Sequence, residues 1–336
     1  MSDWLPPGLF AYGAQLAAAI DGWLGRVLVG DGSMWIDMPR RLGTADVASE
    51  PVPWGTGALC VDLGPDDTGA WERFTAVHGH ELDPEAVAVA AQEWRLPVTP
   101  YRRLPVAPAP PVGILSGDEH RATTGVDGAR VVDLTSMWAG PLCTELLGRA
   151  GAEVHKVTSV ARPDGLAGSP MYAELNEHKT VIELDLRRET DRRDLDALLA
   201  SADLLVTSLS PRALANLDLQ PTQLFPRHSR LRSLAITAFE PDSPERDWIA
   251  YGTGVHAASG LGWLSDDPQA PAYSYPDPLA GLQAACAAVG QLAGVAPQHT
   301  RVSLAGAMAP LAGWAACSRA GGALTTGAWT DGNWHG

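Results

Sequence analysis

Residues 275–281 read YPDPLAG and place a carboxylate at the start of a helix. Asp277 is followed by Pro278 and then by small helix-forming residues, the pattern of a helix N-cap with proline at the first helical position. On this pattern alone, Asp277 is a structural cap. A helix N-terminus also favours the ionised carboxylate, which is the form that attacks an electrophile. The segment therefore predicts an acid that caps a helix and has the chemistry of a nucleophile.

Two further segments have the composition of ligand-binding loops. Gly140 and Pro141 follow a β-rich run and would turn the chain from a strand into a helix, with free N–H groups facing a ligand. A plain strand-to-helix turn has the same pattern. Lys179 precedes a later strand and could bind a phosphate, although exposed lysines are usually only solvated. The glycine-rich residues 259–262 would either approach a reacting centre or form a flexible loop.

The elements around these segments alternate between strands and helices. This alternation predicts an α/β fold with a doubly wound parallel sheet, whose ligand loops lie at the carboxyl ends of the strands. The predicted strands are 130–134, 153–157, 181–186, 204–207, 231–237 and 301–304. The predicted helices are 141–150, 192–201 and 277–292.

A length of 336 residues is enough for two domains. Residues 1–103 are predicted to form a smaller α/β domain with helices at 12–24 and 83–94 and a strand at 57–63. Residues 104–125 are rich in proline and predict an extended linker. Residues 126–336 would then form the large domain.

Composition and missing motifs exclude several functions. The net charge of −15 disfavours nucleic acids and anionic membranes as partners. The four cysteines are far apart, so neither a metal site nor a disulfide framework is expected, and a reduced, cytoplasmic setting fits best. No export signal or membrane span is recognisable. Walker, HExxH, GxSxG and GxGxxG motifs are absent, which disfavours phosphoryl transfer, zinc or serine hydrolysis and standard NAD binding.

Five motifs occur in one order between residues 128 and 306, and together they resemble the family III CoA-transferases, the carnitine dehydratase and bile-acid-inducible protein F group. The motifs are VVDLTSMWAGPLCTELL, GAEVHKV, LNEHKTVIELDL, ADLLVTSLSPRAL and DPLAG. The resemblance implies a Rossmann-like domain that binds coenzyme A as acyl-CoA, and a homodimer.

The resemblance also implies a mechanism and a set of contacts. Asp277 would attack the thioester of an acyl-CoA to give a mixed anhydride, and a carboxylic acid acceptor would then receive CoA through an aspartyl-CoA thioester. The implied contacts to CoA are Met137, Trp138, Arg162, Leu175, Lys179, Ser208 and Arg212. The implied substrate contacts are Tyr251, His256 and Gly260.

The chain departs from the family pattern at several positions. Thr158 stands where members usually have glutamate, Ser208-Leu209 replaces an Asn-aromatic pair, and residues 238–240, AFE, replace a GFG-like turn. Gly252 or Thr253 replaces a common acid. His256 lies one helical turn beyond the histidine of the related racemases, near Tyr251, so alignment does not support racemisation.

The domain order is also unusual, because the small-domain motifs precede the large domain, as in a permuted arrangement. A dimer is still expected, whereas its interlocking stays open. Two alternatives to CoA transfer remain: an isomerase or racemase-type reaction on a single acyl-CoA, and a non-catalytic acyl-CoA-binding protein.

Overall fold

The computed structural model describes residues 4–6, 8–43, 49–64, 66–103, 125–159, 162–319, 328–330 and 333–335. Nearly all of the predicted proline-rich linker, 104–125, lies outside the described residues. The domain boundary therefore stays a prediction.

The N-terminal helices pack onto the core of the large domain. Buried residues of the first helix recur at helical spacing, as in Leu9, Leu16 and Ile20, and they join Trp35 in one hydrophobic cluster with the large domain. The helix predicted at 12–24 begins three residues earlier. The helices are α1 (Leu9–Leu24), α2 (Ser33–Ile36) and α3 (Met38–Leu42).

A small antiparallel sheet follows and has a core of its own. Its buried cluster includes Leu59, Phe74, Val87 and Val98, and the strand order is the chain order. Asp83 caps the helix Pro84–Glu93 by accepting a hydrogen bond from the backbone N–H of Glu85 at 3.1 Å. The elements are β1 (Val52–Trp54), β2 (Gly57–Val61), α4 (Thr68–His78), α5 (Pro84–Glu93) and β3 (Val98–Pro100).

The large domain alternates strands and helices as the sequence predicts. Its first half contains β4 (Arg130–Leu134), α6 (Ala139–Arg149), β5 (Glu153–Thr158), α7 (Pro170–Glu174), β6 (Lys179–Glu183), α8 (Glu189–Ser201) and β7 (Leu204–Thr207). Its second half contains α9 (Pro211–Asn216), α10 (Pro221–Arg227), β8 (Arg232–Thr237), α11 (Gly252–Ala258), α12 (Pro276–Leu292), β9 (His299–Ser303), α13 (Leu304–Arg319), β10 (Ala328–Thr330) and β11 (Asn333–His335).

Six of these strands form one parallel sheet in the order β6-β5-β4-β7-β8-β9. The predicted doubly wound fold with an α/β region before it is confirmed. The chain builds outward from β4 in one direction to β5 and β6, and in the other to β7, β8 and β9. The topological switch point therefore lies between β4 and β7, which is where open α/β sheets bind ligands.

Helix α12 crosses the centre of the large domain, with nearly all of its residues buried. The prediction that Asp277 is its N-cap is wrong. The helix begins at Pro276 with Tyr275 as N-cap, and Asp277 is its second residue, because the fixed φ of proline suits the first helical position. A Cβ on Gly281 would lie 2.7 Å from the carbonyl oxygen of Ala139, so glycine allows α12 to approach α6 closely.

Candidate active site

A cleft opens at the carboxyl ends of β4, β7 and β8, at the switch point of the sheet. Its volume is ≈ 210 Å³ and Asp277 forms part of its wall. The loops after the three strands and the segment before α11 supply most of the lining. The lining residues include Ser136, Met137, Gly140, Ser208, Pro211, Ile236, Arg246, Asp247, Trp248, Ile249, Tyr251 and Leu304, together with Arg95 from the N-terminal region.

Local contacts hold the Asp277 carboxylate in a defined position. Ser274 donates its hydroxyl hydrogen to Oδ2 of Asp277 at 2.6 Å. The backbone N–H of Asp277 donates to the carbonyl of Ser274 at 3.3 Å. Gly252 lies against the same carboxylate, since a Cβ there would be 2.2 Å from Oδ2 and 2.3 Å from Oγ of Ser274. The half-buried acid thus occupies the space that a side chain at 252 would need.

Replacing Gly252 by alanine should therefore displace Asp277. The added methyl group overlaps Oδ2 and the Ser274 hydroxyl, so one of them must move by about 1 Å, a misplacement that can cost roughly 100-fold in rate. We expect the turnover rate of a reaction that uses Asp277 to fall by about that factor, with a smaller loss of stability. The matched control is Gly22→Ala in α1, where a Cβ would meet nothing within 4 Å. Full activity of Gly252→Ala, measured as the turnover rate, would show that the position of Asp277 is not constrained in this way.

Three of the sequence-predicted residues share the cleft with Asp277. Met137 has φ 67°, and its N–H donates to Oδ1 of Asp164 at 3.1 Å. Oγ of Ser208 accepts from the N–H of Ser136 at 3.2 Å, which joins the loops after β4 and β7. Tyr251 is 38% exposed, and its pKa is raised by partial burial and then by nearby Asp62 and Asp67. The loops after β4 and β7 are thus joined to each other at the cleft that Asp277 also lines.

Two predicted arginines lie outside the cleft lining. Arg212 is exposed and directly follows the lining residue Pro211 at the start of α9. Arg162 is exposed and pairs through its backbone with Ser159. Both side chains are open to a ligand that extends beyond the cleft.

Other predicted contacts are buried, which corrects their expected role. Leu175 and His256 are 0% exposed and Trp138 is 3% exposed, so their side chains belong to the core and do not line the cleft. His256 pairs with the hydroxyl of Tyr275 at 2.8 Å and with the carbonyl of Gln269 at 2.9 Å. Burial lowers the pKa of His256 to about 4, so the ring is neutral near pH 7.

Gly260 also lies away from the cleft lining. It has φ 83° and precedes a short 3₁₀ turn, Leu261–Trp263. This is the left-handed region that glycine tolerates. In this structure its role is to turn the chain.

Lys179 forms an internal ion pair and is not free to meet a phosphate. Its ammonium lies 3.1 Å from Oδ2 of Asp133 and donates to the carbonyl of Pro141 at 2.9 Å, with no side-chain exposure. Burial lowers the pKa of Lys179, and Asp133 opposes that shift. The pair lies beneath the turn between β4 and α6 and fixes the loop that carries Met137.

Sequence reasoning missed part of the cleft wall and one partner of Asp277. Arg95, Arg246 and Trp248 line the cleft from segments that are far apart in sequence. Ser274 lies three residues before Asp277, and no motif singled it out. A local signal existed only for Arg95, which follows the helix predicted to end at residue 94.

One group with metal-ligand chemistry occurs among the described residues, away from the cleft. Glu145, Glu177 and His178 place one ligand atom each within 4.8 Å of one another. Glu145 is already engaged, because it accepts from Arg149 at 2.9 Å and from the N–H of His178 at 3.1 Å. The group is accounted for as an ion-pair network. Within the described segments, no helix has the length and apolar character to cross a membrane.

Comparisons with known proteins identify relatives of the large domain. A probable CoA-transferase of Mycobacterium tuberculosis is 31% identical over 152 residues, which is 43% of this chain and 19% of that protein. The succinyl-CoA–L-malate CoA-transferase β subunit of Chloroflexus aurantiacus is 28% identical over 161 residues, 45% of this chain and 40% of the relative. A formyl-CoA:oxalate CoA-transferase of Rhodopseudomonas palustris is 30% identical over 183 residues, 51% of this chain and 43% of the relative. The chain thus spans less than half the length of these relatives.

The fold has solved relatives too. The crystal structure of a CAIB/BAIF family protein from Brucella suis superposes with a TM-score of 0.52 at 25% identity, covering 59% of this chain and 58% of that one. The model of CoA-transferase family III matches residues 126–333, which is most of the chain and includes Asp277 and the loops of the cleft that follow β4, β7 and β8. The chain therefore belongs to CoA-transferase family III.

Proposed function

We propose that this chain transfers CoA from an acyl-CoA to a carboxylic acid, with Asp277 as the nucleophile. The observation that carries the proposal is a carboxylate held by Ser274 inside a cleft at the switch point of the sheet, in a family III chain. The cleft gives the carboxylate access to a substrate. The hydrogen bond from Ser274 orients the carboxylate through Oδ2.

The chemistry proceeds through covalent intermediates on Asp277. A carboxylate oxygen attacks the thioester carbonyl, the C–S bond breaks, and CoA thiolate leaves a mixed anhydride. The thiolate then attacks the aspartyl carbonyl, which releases the donor acid and leaves an aspartyl-CoA thioester. The acceptor carboxylate attacks that thioester, the C–S bond breaks, and CoA thiolate leaves a second anhydride. Finally the thiolate attacks the acceptor carbonyl, which gives the new acyl-CoA and restores Asp277.

Coenzyme A would enter along the loops after β4 and β7. Met137 and Ser208 line the cleft and would contact the part of CoA near the thioester. Exposed Arg212 and Arg162 would bind the phosphates outside the cleft through charge-assisted hydrogen bonds. Lys179 would not contact CoA; with Asp133 it would hold the turn between β4 and α6 in place. A homodimer in the cytoplasm is part of the same proposal.

The experiment that tests this function is incubation of the full chain with a panel of acyl-CoAs, each with and without a panel of carboxylic acids. We expect a new CoA ester, detected by mass spectrometry, only when an acceptor acid is present. An acyl-CoA converted without any acceptor would instead identify an isomerase. Binding without conversion of any acyl-CoA would identify a non-catalytic acyl-CoA-binding protein.

A further inference from the structure

The N-terminal region builds one wall of the cleft through a buried amide. Gln92 of α5 is 7% exposed; its Nε2 donates to the carbonyl of Ile249 at 2.9 Å, and its Oε1 accepts from the N–H of Ile249 at 2.7 Å. Arg102 adds an ion pair with Glu245 at 2.9 Å. These contacts fix the segment before α11 against the small sheet. The cleft wall formed by this segment is therefore attached to the N-terminal region at two points, Glu245 and Ile249.

Arg95 occupies an unusual backbone position at the edge of this wall. Its φ is 62°, in the left-handed region, and it ends α5 with hydrogen bonds from its own N–H to Gln92 and from Leu96 to Ala91, each 3.0 Å long. Glycine is usual at such a position, because a side chain there is sterically strained. An arginine instead extends a guanidinium to the cleft. Among the described residues the one hydrogen bond of the guanidinium is long, 3.4 Å to the carbonyl of Asp247, so most of the guanidinium donors have no protein acceptor.

The charges of the cleft are distributed between its walls. Asp277 and Asp247 are the acids of the lining, and Arg95 and Arg246 are its described cations. Arg246 is 3.5 Å from Asp247, but both side chains are more than 60% exposed, with values of 63% and 66%, so this pair is weak. A carboxylic acid that approaches Asp277 in a chain of net charge −15 meets repulsion. A guanidinium on the small-sheet wall is placed to offset it.

The size of the cleft limits what can bind there. Its ≈ 210 Å³ lies below the roughly 300–1,000 Å³ typical of sites for drug-sized ligands. Ile236, Trp248 and Leu304 add apolar surface to the lining. The space suits a short acyl group with a charged end better than a long hydrocarbon chain.

We propose that the site selects a short acid with a second carboxylate, and that Arg95 binds this remote carboxylate while the first one reacts at Asp277. The inference rests on the proposed CoA transfer. A guanidinium recognises a carboxylate through two parallel hydrogen bonds, which makes Arg95 a specificity-determining residue. The hydrogen bond from Arg95 to the backbone carbonyl of Asp247 is long and therefore weak, so a substrate carboxylate can replace it.

The test compares succinyl-CoA with butyryl-CoA, which have equally long acyl chains and differ by one carboxylate, using wild type and Arg95→Gln. We expect wild type to show at least about tenfold higher kcat/KM with succinyl-CoA, and Arg95→Gln to lower this value by about 10- to 100-fold with little effect on butyryl-CoA. Arg193→Gln is the matched control, because Arg193 is an exposed arginine in α8 outside the cleft. The dissociation constant of free CoA should be unchanged in both variants.

Two results would overturn the inference. Equal losses with both substrates, together with weaker binding of free CoA, would assign Arg95 to the CoA phosphates. Equal kcat/KM for both substrates in wild type would show that the cleft does not select a second carboxylate. If no transfer occurs, the proposed function has failed, and binding measured by calorimetry still tests the inference. Arg95→Gln should then weaken the binding of succinyl-CoA and leave the binding of butyryl-CoA unchanged. Equal affinities of wild type and Arg95→Gln for succinyl-CoA would refute the inference.

Discussion

Asp277→Asn is expected to abolish CoA transfer while leaving the fold intact. A neutral amide cannot attack a thioester, yet asparagine keeps the size of the side chain and its oxygen can still accept from Ser274. Loss of a nucleophile typically costs 10³-fold or more in rate, and we expect roughly that effect or a larger one. Because Asp277 lies in the first turn of α12, removal of its charge should cost only about 0.3–1 kcal/mol of unfolding free energy.

The matched control is Asp247→Asn, which removes the other acid of the cleft lining. Asp247 is exposed and holds only a weak pair with Arg246, so transfer should change by no more than a few-fold. Steady-state rates and thermal unfolding would be measured for both variants. A rate loss of equal size in the two variants would mean that the reaction depends on the negative charge of the cleft. It would contradict the role of Asp277 as a nucleophile.

Asp133→Asn should lower the free energy of unfolding more than Asp277→Asn or Gly252→Ala does. Asp133 is fully buried and accepts from the hydroxyl of Thr144 at 2.6 Å and from Lys179 at 3.1 Å. Burial raises the pKa of Asp133, but the ammonium groups of Lys179 and Lys156 outweigh it and bring the pKa to about 2. An asparagine would leave a buried lysine without its counter-charge, which costs about 3–5 kcal/mol. Denaturant unfolding of both proteins measures this difference.

The same substitution has a defined pH dependence. The folded pKa of Asp133 lies below its unfolded value of about 3.9, so its contribution is fully present above that value and is lost as pH falls towards 2. The difference between wild type and Asp133→Asn should be constant near neutrality and shrink below about pH 4. Asp185→Asn is the control, because its pair with Arg187 lies at the surface and should contribute little to stability. Equal stability of wild type and Asp133→Asn at pH 7 would refute the structural role of the buried pair.

The sequence predicts the central strands well because their pattern is local. Residues 130–134 and 204–207 are short, buried runs rich in leucine and valine, and the observed strands have the same bounds. Element ends were less accurate. The strand expected at 181–186 begins at Lys179, because pairing with β5 extends it, and α12 begins at Pro276, which places Asp277 inside the helix.

Local sequence patterns do not predict contacts between segments that are far apart in the chain. Nothing in the sequence around Lys179 shows that Asp133, 46 residues earlier, neutralises it. His256 and Leu175 were expected at a ligand and lie in the core, since burial depends on the packing of several elements. The sequence shows Gly252 or Thr253 in place of an acid, and in the structure the Asp277 carboxylate fills the space that a side chain at 252 would need.

The most direct test of the nucleophile is chemical trapping on the protein during turnover. Wild type would be mixed with an acyl-CoA that it turns over, quenched with hydroxylamine, digested and analysed by mass spectrometry, with Asp277→Asn treated in parallel. We predict a hydroxamate on Asp277 that requires acyl-CoA and is absent from the variant. A hydroxamate on a different residue, or none at all while CoA transfer proceeds, would contradict the covalent role of Asp277.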